Sequence, residues 1–213
     1  MTLQVIVEGQ GEVEAVPVLL RRLQSASQAY SLEFARPHRR SRSELLQEGP
    51  LKRAVETVLA EERCDGILIL FDGDDDCTGD SNRQRGPLGP QIGKWASEAA
   101  RGLPCAVVIA QREYESWFLA SIESLRGIAG IKDDALYEFE PEVRRGAKEE
   151  LRRMMVPNRA YKPAELQPTF TARFDMAAAY RRSRTFQRMV HAFAILAQGC
   201  GITLDHWPPA GWT

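Results

Sequence analysis

Three short apolar runs, each closed by acidic residues, constrain this chain more than any other feature. They are "LQVIVE" at residues 3–8, "GILILFDGD" at 66–74 and "CAVVIAQREYE" at 105–115. Unalternating runs of this length, rich in Val, Ile and Leu, are expected of parallel strands buried on both faces. Helical spacing lies between and after them. Val13, Val16, Leu19, Leu20 and Leu23 share one helical face, with Pro17 expected in the first turn, where its missing N–H is harmless. "GPLKRAVETVLAEERC" puts Leu51, Ala54, Val55, Val58 and Leu59 on one face. Residues 91–101 and "YESWFLASIESLRG" at 114–127 also read as helices, with Trp117 and Phe118 in the core. "SLEFARP" would add a short strand ended by Pro37. The expected fold class is α/β: a Rossmannoid, mostly parallel sheet with helices on both faces.

Beyond about residue 127 the alternation stops. The pattern predicts a charged helix over 142–155, a loop around Pro157, Lys162 and Pro163, and a longer helix from about Met176 to Gln198 capped by Gly199. Ala179, Phe186, Met189, Val190, Phe193 and Leu196 would form its buried face, and the tail "DHWPPAGWT" would pack. With 213 residues, 44% of them hydrophobic, the chain can bury one substantial core. The expected organisation is an α/β core over 1–126 and a mostly helical extension over 127–213 packed on it, together one compact domain.

Charge is unevenly spread. Residues 141–213 carry twelve Lys/Arg against six Asp/Glu, a net +6; the chain totals −1, so residues 1–140 carry −7. An acidic part beside a basic one suits a metal ion in the first and a polyanion on the second; both also read as solvated surface. Cys64, Cys77, Cys105 and Cys200 form no CxxC pair, and His38, His191 and His206 lack zinc-ligand spacing, so buried thiols are expected rather than zinc or disulfides. "MTLQVIVEGQ" lacks a basic leader and no run approaches a membrane span, so a cytoplasmic chain without a signal peptide is expected.

The acids fall at the carboxyl ends of the expected strands: Glu8 and Glu12, then Asp72, Asp74 and Asp76, then Glu113 and Glu115. Open parallel sheets bind ligands beyond those ends, so the three clusters would converge. Carboxylates so crowded stay ionised only beside cations, and oxygen donors without His or Cys favour Mg²⁺ or Mn²⁺. The same acids also read locally as helix-terminal acids (Glu8, Glu113, Glu115) or turn residues (Asp72, Asp74). Other motifs fail. "GQGEVE" has Glu14 where a dinucleotide fingerprint needs Gly. "DGDDDC" has Cys77 and Arg83 where a calcium loop needs Gly and Glu. "GPLGPQIGKW" lacks P-loop spacing.

E-G-x-x-E at Glu8–Glu12, followed by D-x-D at Asp72–Asp74 on a buried strand, resembles a Toprim domain. The chain resembles a family of small bacterial Toprim-like proteins, similar to the Toprim domain of OLD (overcoming lysogenisation defect) nucleases. "EYESW" and "SRTF" match further parts of that pattern; Gly11 departs from the Thr usual before the second Glu. The likeness spans residues 4–120 and, more loosely, 176–196. It implies a metal-dependent nuclease with two Mg²⁺ or Mn²⁺ ions held by Glu8, Glu12, Asp72, Asp74 and Glu115, with Glu113 as the alternative to Glu115. Glu8 would serve as general acid/base and Lys162 as the lysine near the scissile phosphate. Arg181, Arg182 and Arg184 are candidate nucleic-acid contacts, though with Arg188 they also read as a solvent-facing stripe. The resemblance also implies phage defence and a separate ATPase partner, since the chain has no P-loop. A non-catalytic partner module is the alternative, with Cys77–Pro90 and the C-terminal tail as its contact surfaces.

Overall fold

The computed structural model describes residues 1–74 and 88–213. Asp76 and most of the Cys77–Pro90 segment, both singled out in the sequence, lie outside the described residues. Among the described residues five parallel strands form one sheet: β1 (Thr2–Val7), β2 (Glu33–Phe34), β3 (His38–Arg39), β4 (Gly66–Asp72) and β5 (Cys105–Ala110). The order is β2-β1-β4-β5, and β3 continues the β2 edge by pairing with Ile6 and Val7 of β1. Every residue of β1 and β4 is buried, as the unalternating apolar runs require. This is the Rossmannoid α/β fold expected from the sequence, with a helical C-terminal part.

Alternation along each strand divides the core in two. Ile6, Ile67, Ile69, Phe71 and Ile109 face α3 (Glu48–Leu59) and α4 (Leu88–Ala99). Leu3, Val5, Val7, Leu68, Leu70 and Val108 face a larger layer built from α1 (Gln10–Ser27) and most of the C-terminal chain. A short α2 (Arg42–Leu45) joins the β3 edge to α3. After β5 come α5 (Ser116–Leu119), a 3-10 turn (Ile122–Leu125), α6 (Ala147–Arg153), α7 (Pro163–Thr171), α8 (Met176–Arg182) and α9 (Arg184–Gly199). Phe170, Phe174, Phe186 and Phe193 from this part join the same core as β1 and β4.

Several local expectations need correction. Pro17 lies inside α1, because the helix starts at Gln10, directly after the strand; it forgoes one interior hydrogen bond. The helix expected over 114–127 is α5 plus a 3-10 turn, and that over 142–155 shortens to α6. The loop expected around Pro163 opens into α7 with that proline in its first turn. The helix expected from Met176 to Gln198 breaks at Ser183, whose hydroxyl accepts the Phe186 N–H and starts α9. The tail does pack: Trp207 donates to the Val190 carbonyl (3.0 Å) and stacks near Phe193 and Trp212. Cys64, Cys105 and Cys200 are half-buried free thiols, less enclosed than expected. No helix among the described residues is long and apolar enough to cross a membrane.

Candidate functional site

Parallel strands put the carboxyl ends of β1, β4 and β5 on one edge of the sheet, and the predicted acids meet there. At the end of β1 the chain turns straight into α1. The buried Glu12 carboxylate folds back and accepts from the backbone N–H groups of Glu8 (3.2 Å) and Gly9 (3.0 Å). Gly11 permits this junction to be covered: a Cβ there would lie 2.1 Å from Gln167 Oε1 and 2.8 Å from the Pro163 carbonyl oxygen. The absence of a side chain at Gly11 thus leaves room for α7.

At the end of β4, Asp72 turns inward and Asp74 outward. Asp72 Oδ1 accepts from the Tyr114 N–H (2.8 Å), which ties the ends of β4 and β5 together. Gly73 sits where a Cβ would meet the Ala110 carbonyl oxygen at 2.9 Å, and Asp74 adopts φ 44°. Arg42 donates to the carbonyls of Asp72 and Gly73 and pairs with Asp74 Oδ2 at 3.3 Å.

A lysine that the sequence reading did not single out lies between the clusters. Lys148, at the start of α6, places Nζ 3.2 Å from Asp72 Oδ2, 3.2 Å from Glu113 Oε1 and 3.7 Å from Glu115 Oε2. Glu113 also accepts the Lys148 backbone N–H (2.8 Å), so it caps α6 rather than a helix of its own. Glu115 is fully buried and accepts from Tyr161 Oη (2.8 Å) and Gln167 Nε2 (3.0 Å). Below it, "EYESW" and "SRTF" are joined. Trp117 Nε1 donates to Thr185 Oγ1 (3.0 Å) and its ring meets Phe186 edge-on. Glu142 accepts from the Ser183 hydroxyl (2.6 Å) and the Thr185 N–H (2.9 Å), fixing the start of α9.

Burial and like charge shift these acids together. Burial, then Asp72, pushes the Glu12 carboxyl up to about 8. Burial pushes Glu115 up to about 7 against the pull of Lys148. Burial raises Asp72 too, opposed by Lys148 and the Tyr114 N–H; Glu8 is raised by burial and by Asp72. Burial favours the neutral amine of Lys148, but Asp72, Glu115 and Glu113 outweigh it and hold the ammonium firmly charged.

Six predicted ligands, Glu8, Glu12, Asp72, Asp74, Glu113 and Glu115, therefore belong to one crevice. The other predicted residues do not. Lys162 is exposed and bound to Glu165 (3.0 Å). Arg181 donates to the Gly211 carbonyl, and Arg182 to the carbonyls of Ala120, Tyr137 and Phe139. Arg184 borders a groove beside β5, away from the acids. A smaller cleft of about 310 Å³ adjoins the crevice and is lined by Asp74, Arg112, Glu113, Arg145 and Gly146.

The donor set fits a hard divalent cation: carboxylates without imidazole or thiolate. Glu8 Oε2 and Glu115 Oε2 are buried without a hydrogen-bond partner among the described residues. The spacing is wider than coordination needs. Among the described residues no three His, Cys, Asp or Glu side chains gather closely enough to hold an ion; the Lys148 ammonium stands between Asp72, Glu113 and Glu115.

Fold and site together define a Rossmannoid α/β protein with a lysine-centred carboxylate crevice at its strand ends. The chain belongs to the family described as Domain of unknown function (DUF4276), whose model matches residues 7–194. No curated protein and no solved structure matches it. The matched span takes in every acid of the crevice and Lys148.

Proposed function

We propose that the chain is a metal-dependent phosphoryl-transfer enzyme, a nuclease acting on DNA or RNA with two Mg²⁺ or Mn²⁺ ions. The observation that supports this most is the meeting of Asp72, Glu113 and Glu115 at the Lys148 ammonium, with Glu8 and Glu12 adjoining. Glu8, Glu12, Asp72, Asp74 and Glu115 would hold the ions, with Glu113 as alternate. A bound divalent ion supplies charge neutralisation at the phosphoryl oxygens. Glu8, whose carboxyl burial and Asp72 raise above the usual range and whose Oε2 is buried without a hydrogen-bond partner among the described residues, is the carboxyl suited to proton transfer. Lys148 takes the part expected of Lys162, offering a permanent charge to a phosphate oxygen. Arg112 and Arg145 border the adjoining cleft and would steer the nucleic-acid backbone. The resemblance to Toprim domains of OLD nucleases supports the same chemistry, and with it phage defence and a separate ATPase partner.

One observation favours a second reading. Lys148 already compensates three carboxylates without an ion, as a non-catalytic partner module of an ATPase would allow. Cleavage assays on plasmid and single-stranded DNA and on RNA with Mn²⁺ or Mg²⁺ separate the two. Asp72→Asn and Glu8→Gln should each lower the rate by about 100-fold or more, the scale of losing one electrostatic stabiliser. Cleavage unaffected by both changes rules out this site. Full biological effect from cleavage-dead variants favours the partner module.

A further inference from the structure

We propose that the groove between the outer edge of β5 and helix α9 docks an extended acidic segment of a partner protein, added to the sheet as a further strand. β5 ends the sheet, and among the described residues nothing pairs with its outer side. The direction of its backbone groups follows from two hydrogen bonds. The carbonyls of Pro104 and Ala110 accept from Ile67 and Gly73 on the β4 side. By alternation the even-numbered positions face β4, so the N–H and C=O groups of Cys105, Val107 and Ile109 face outward. The Gln111 N–H, next in that outward series, is taken by Thr185 Oγ1 (3.3 Å), which closes the edge at one end. The strand reads CAVVIA, with none of the charges, prolines or bulges by which edges are usually protected.

The wall of this groove is basic. A cavity of about 570 Å³ runs along Cys105–Val107 and α9, lined there by Arg184, Gln187, Arg188, His191 and the exposed Ile195. Among the described residues the guanidinium groups of Arg184 and Arg188 make no ion pair, whereas Arg181 and Arg182 are bound to carbonyls. Arg184 and Arg188 are four residues apart on the helix, a rise of about 6 Å. Positions two apart on a strand are separated by about 6.6 Å. Carboxylates at alternate positions of an added strand would therefore meet both arginines, while its backbone pairs with Cys105 and Val107.

The chemistry of the groove favours this occupant over two others. A DNA backbone offers acceptors to the arginines but no donors to the outward carbonyls of β5, and an RNA backbone offers only its 2′-hydroxyls, not at the spacing of a strand's amides. A second copy of this chain would bring an acid-free CAVVIA edge and a second basic wall against the first.

The test uses the full chain in EDTA, so its outcome is separate from that of the metal site. The probe is an acetylated, amidated heptapeptide alternating Glu and Val; its controls are the Lys/Val counterpart and oligo(dT). The Glu/Val peptide should bind, the Lys/Val peptide should not, and amide exchange at Cys105 and Val107 should slow on binding. Arg188→Glu should weaken binding by about tenfold through like-charge contact. Val107→Pro deletes one outward donor and leaves the β4 ladder intact, and should weaken it by about fivefold. Equal binding of both peptides, no binding of either, or Glu/Val binding indifferent to both variants overturns the proposal. Displacement of the Glu/Val peptide by oligo(dT), or edge-to-edge dimerisation lost in Val107→Pro, also overturns it in favour of nucleic acid or a second copy.

Discussion

The crevice at the strand ends and the groove beside β5 are two charged features of one sheet, solved in opposite ways. In the crevice, six carboxylates crowd together and the fold supplies its own cation, Lys148, at 3.2 Å from two of them. Along the groove, Arg184 and Arg188 stand beside an apolar strand with no acid answering them among the described residues. Charge in the crevice is met in part by the chain's own Lys148, whereas the charge along the groove has no counterpart among the described residues. Buried charge must be compensated within the chain or by a ligand, because desolvation is costly. Surface charge carries little cost and is available for association.

The largest expected effect comes from breaking the internal neutralisation. Lys148→Met leaves Asp72, Glu113 and Glu115 without their common cation and should destabilise the chain by about 3 kcal/mol at pH 7. Urea denaturation measures this, and Mn²⁺ or acid should restore part of the loss. An unchanged midpoint would mean that Lys148 does not hold the crevice together.

A pH profile sharpens the same point. Glu12, pushed up to about 8, and Glu115, at about 7, keep protons in the folded chain that the unfolded chain releases near 4.5. The folded state thus binds more protons than the unfolded state between about pH 4.5 and 8, and this contribution to stability falls as pH rises through that window. Denaturation at about pH 5.5 and 8 should show a loss of about 2 kcal/mol in the wild type, reduced in Glu12→Gln. A wild-type profile that rises across this range contradicts the raised carboxyls.

The two kinds of arginine give the smallest effect. Arg182 holds the carbonyls of Ala120, Tyr137 and Phe139, so Arg182→Ala should cost about 2 kcal/mol. Arg188→Ala should cost less than about 0.5 kcal/mol, as an exposed substitution does. Thermal denaturation of both variants decides; equal losses would erase the distinction between committed and available arginines.

The strands were readable from sequence because a strand buried on both faces is a near-continuous apolar run, as β1 and β4 are apart from Thr2, Gln4 and the terminal Asp72. The acids were readable because strand ends mark the crevice of a parallel sheet. Lys148 was not. In "RRGAKEELRR" it looks like one charge of a solvated helix, and only the docking of the α6 start against Glu113 turns it inward. Lys162, the lysine the resemblance points to beside Pro163, instead finds its partner three residues away in Glu165. The break at Ser183 was hidden for a similar reason. Apolar spacing runs through it unbroken, while Glu142, over 40 residues earlier, binds Ser183 and Thr185 and sets the new helix start. Helix α7 was obscured by Pro163 and Pro168, although its Gln167 supports Glu115. What escaped the sequence was tertiary pairing between distant polar groups.

The proposed binding of divalent cations in the crevice is tested most directly by thermal denaturation with and without Mn²⁺ or Mg²⁺. An ion that binds only the folded chain stabilises it by about 2.7 kcal/mol at 100 times its dissociation constant. Wild-type protein should show a rise in Tm that saturates with Mn²⁺. Asp72→Asn should lose that rise, and Glu149→Gln, at an exposed carboxylate paired with Arg152, should keep it. No rise with either metal in the wild type, or an undiminished rise in Asp72→Asn, would contradict the account.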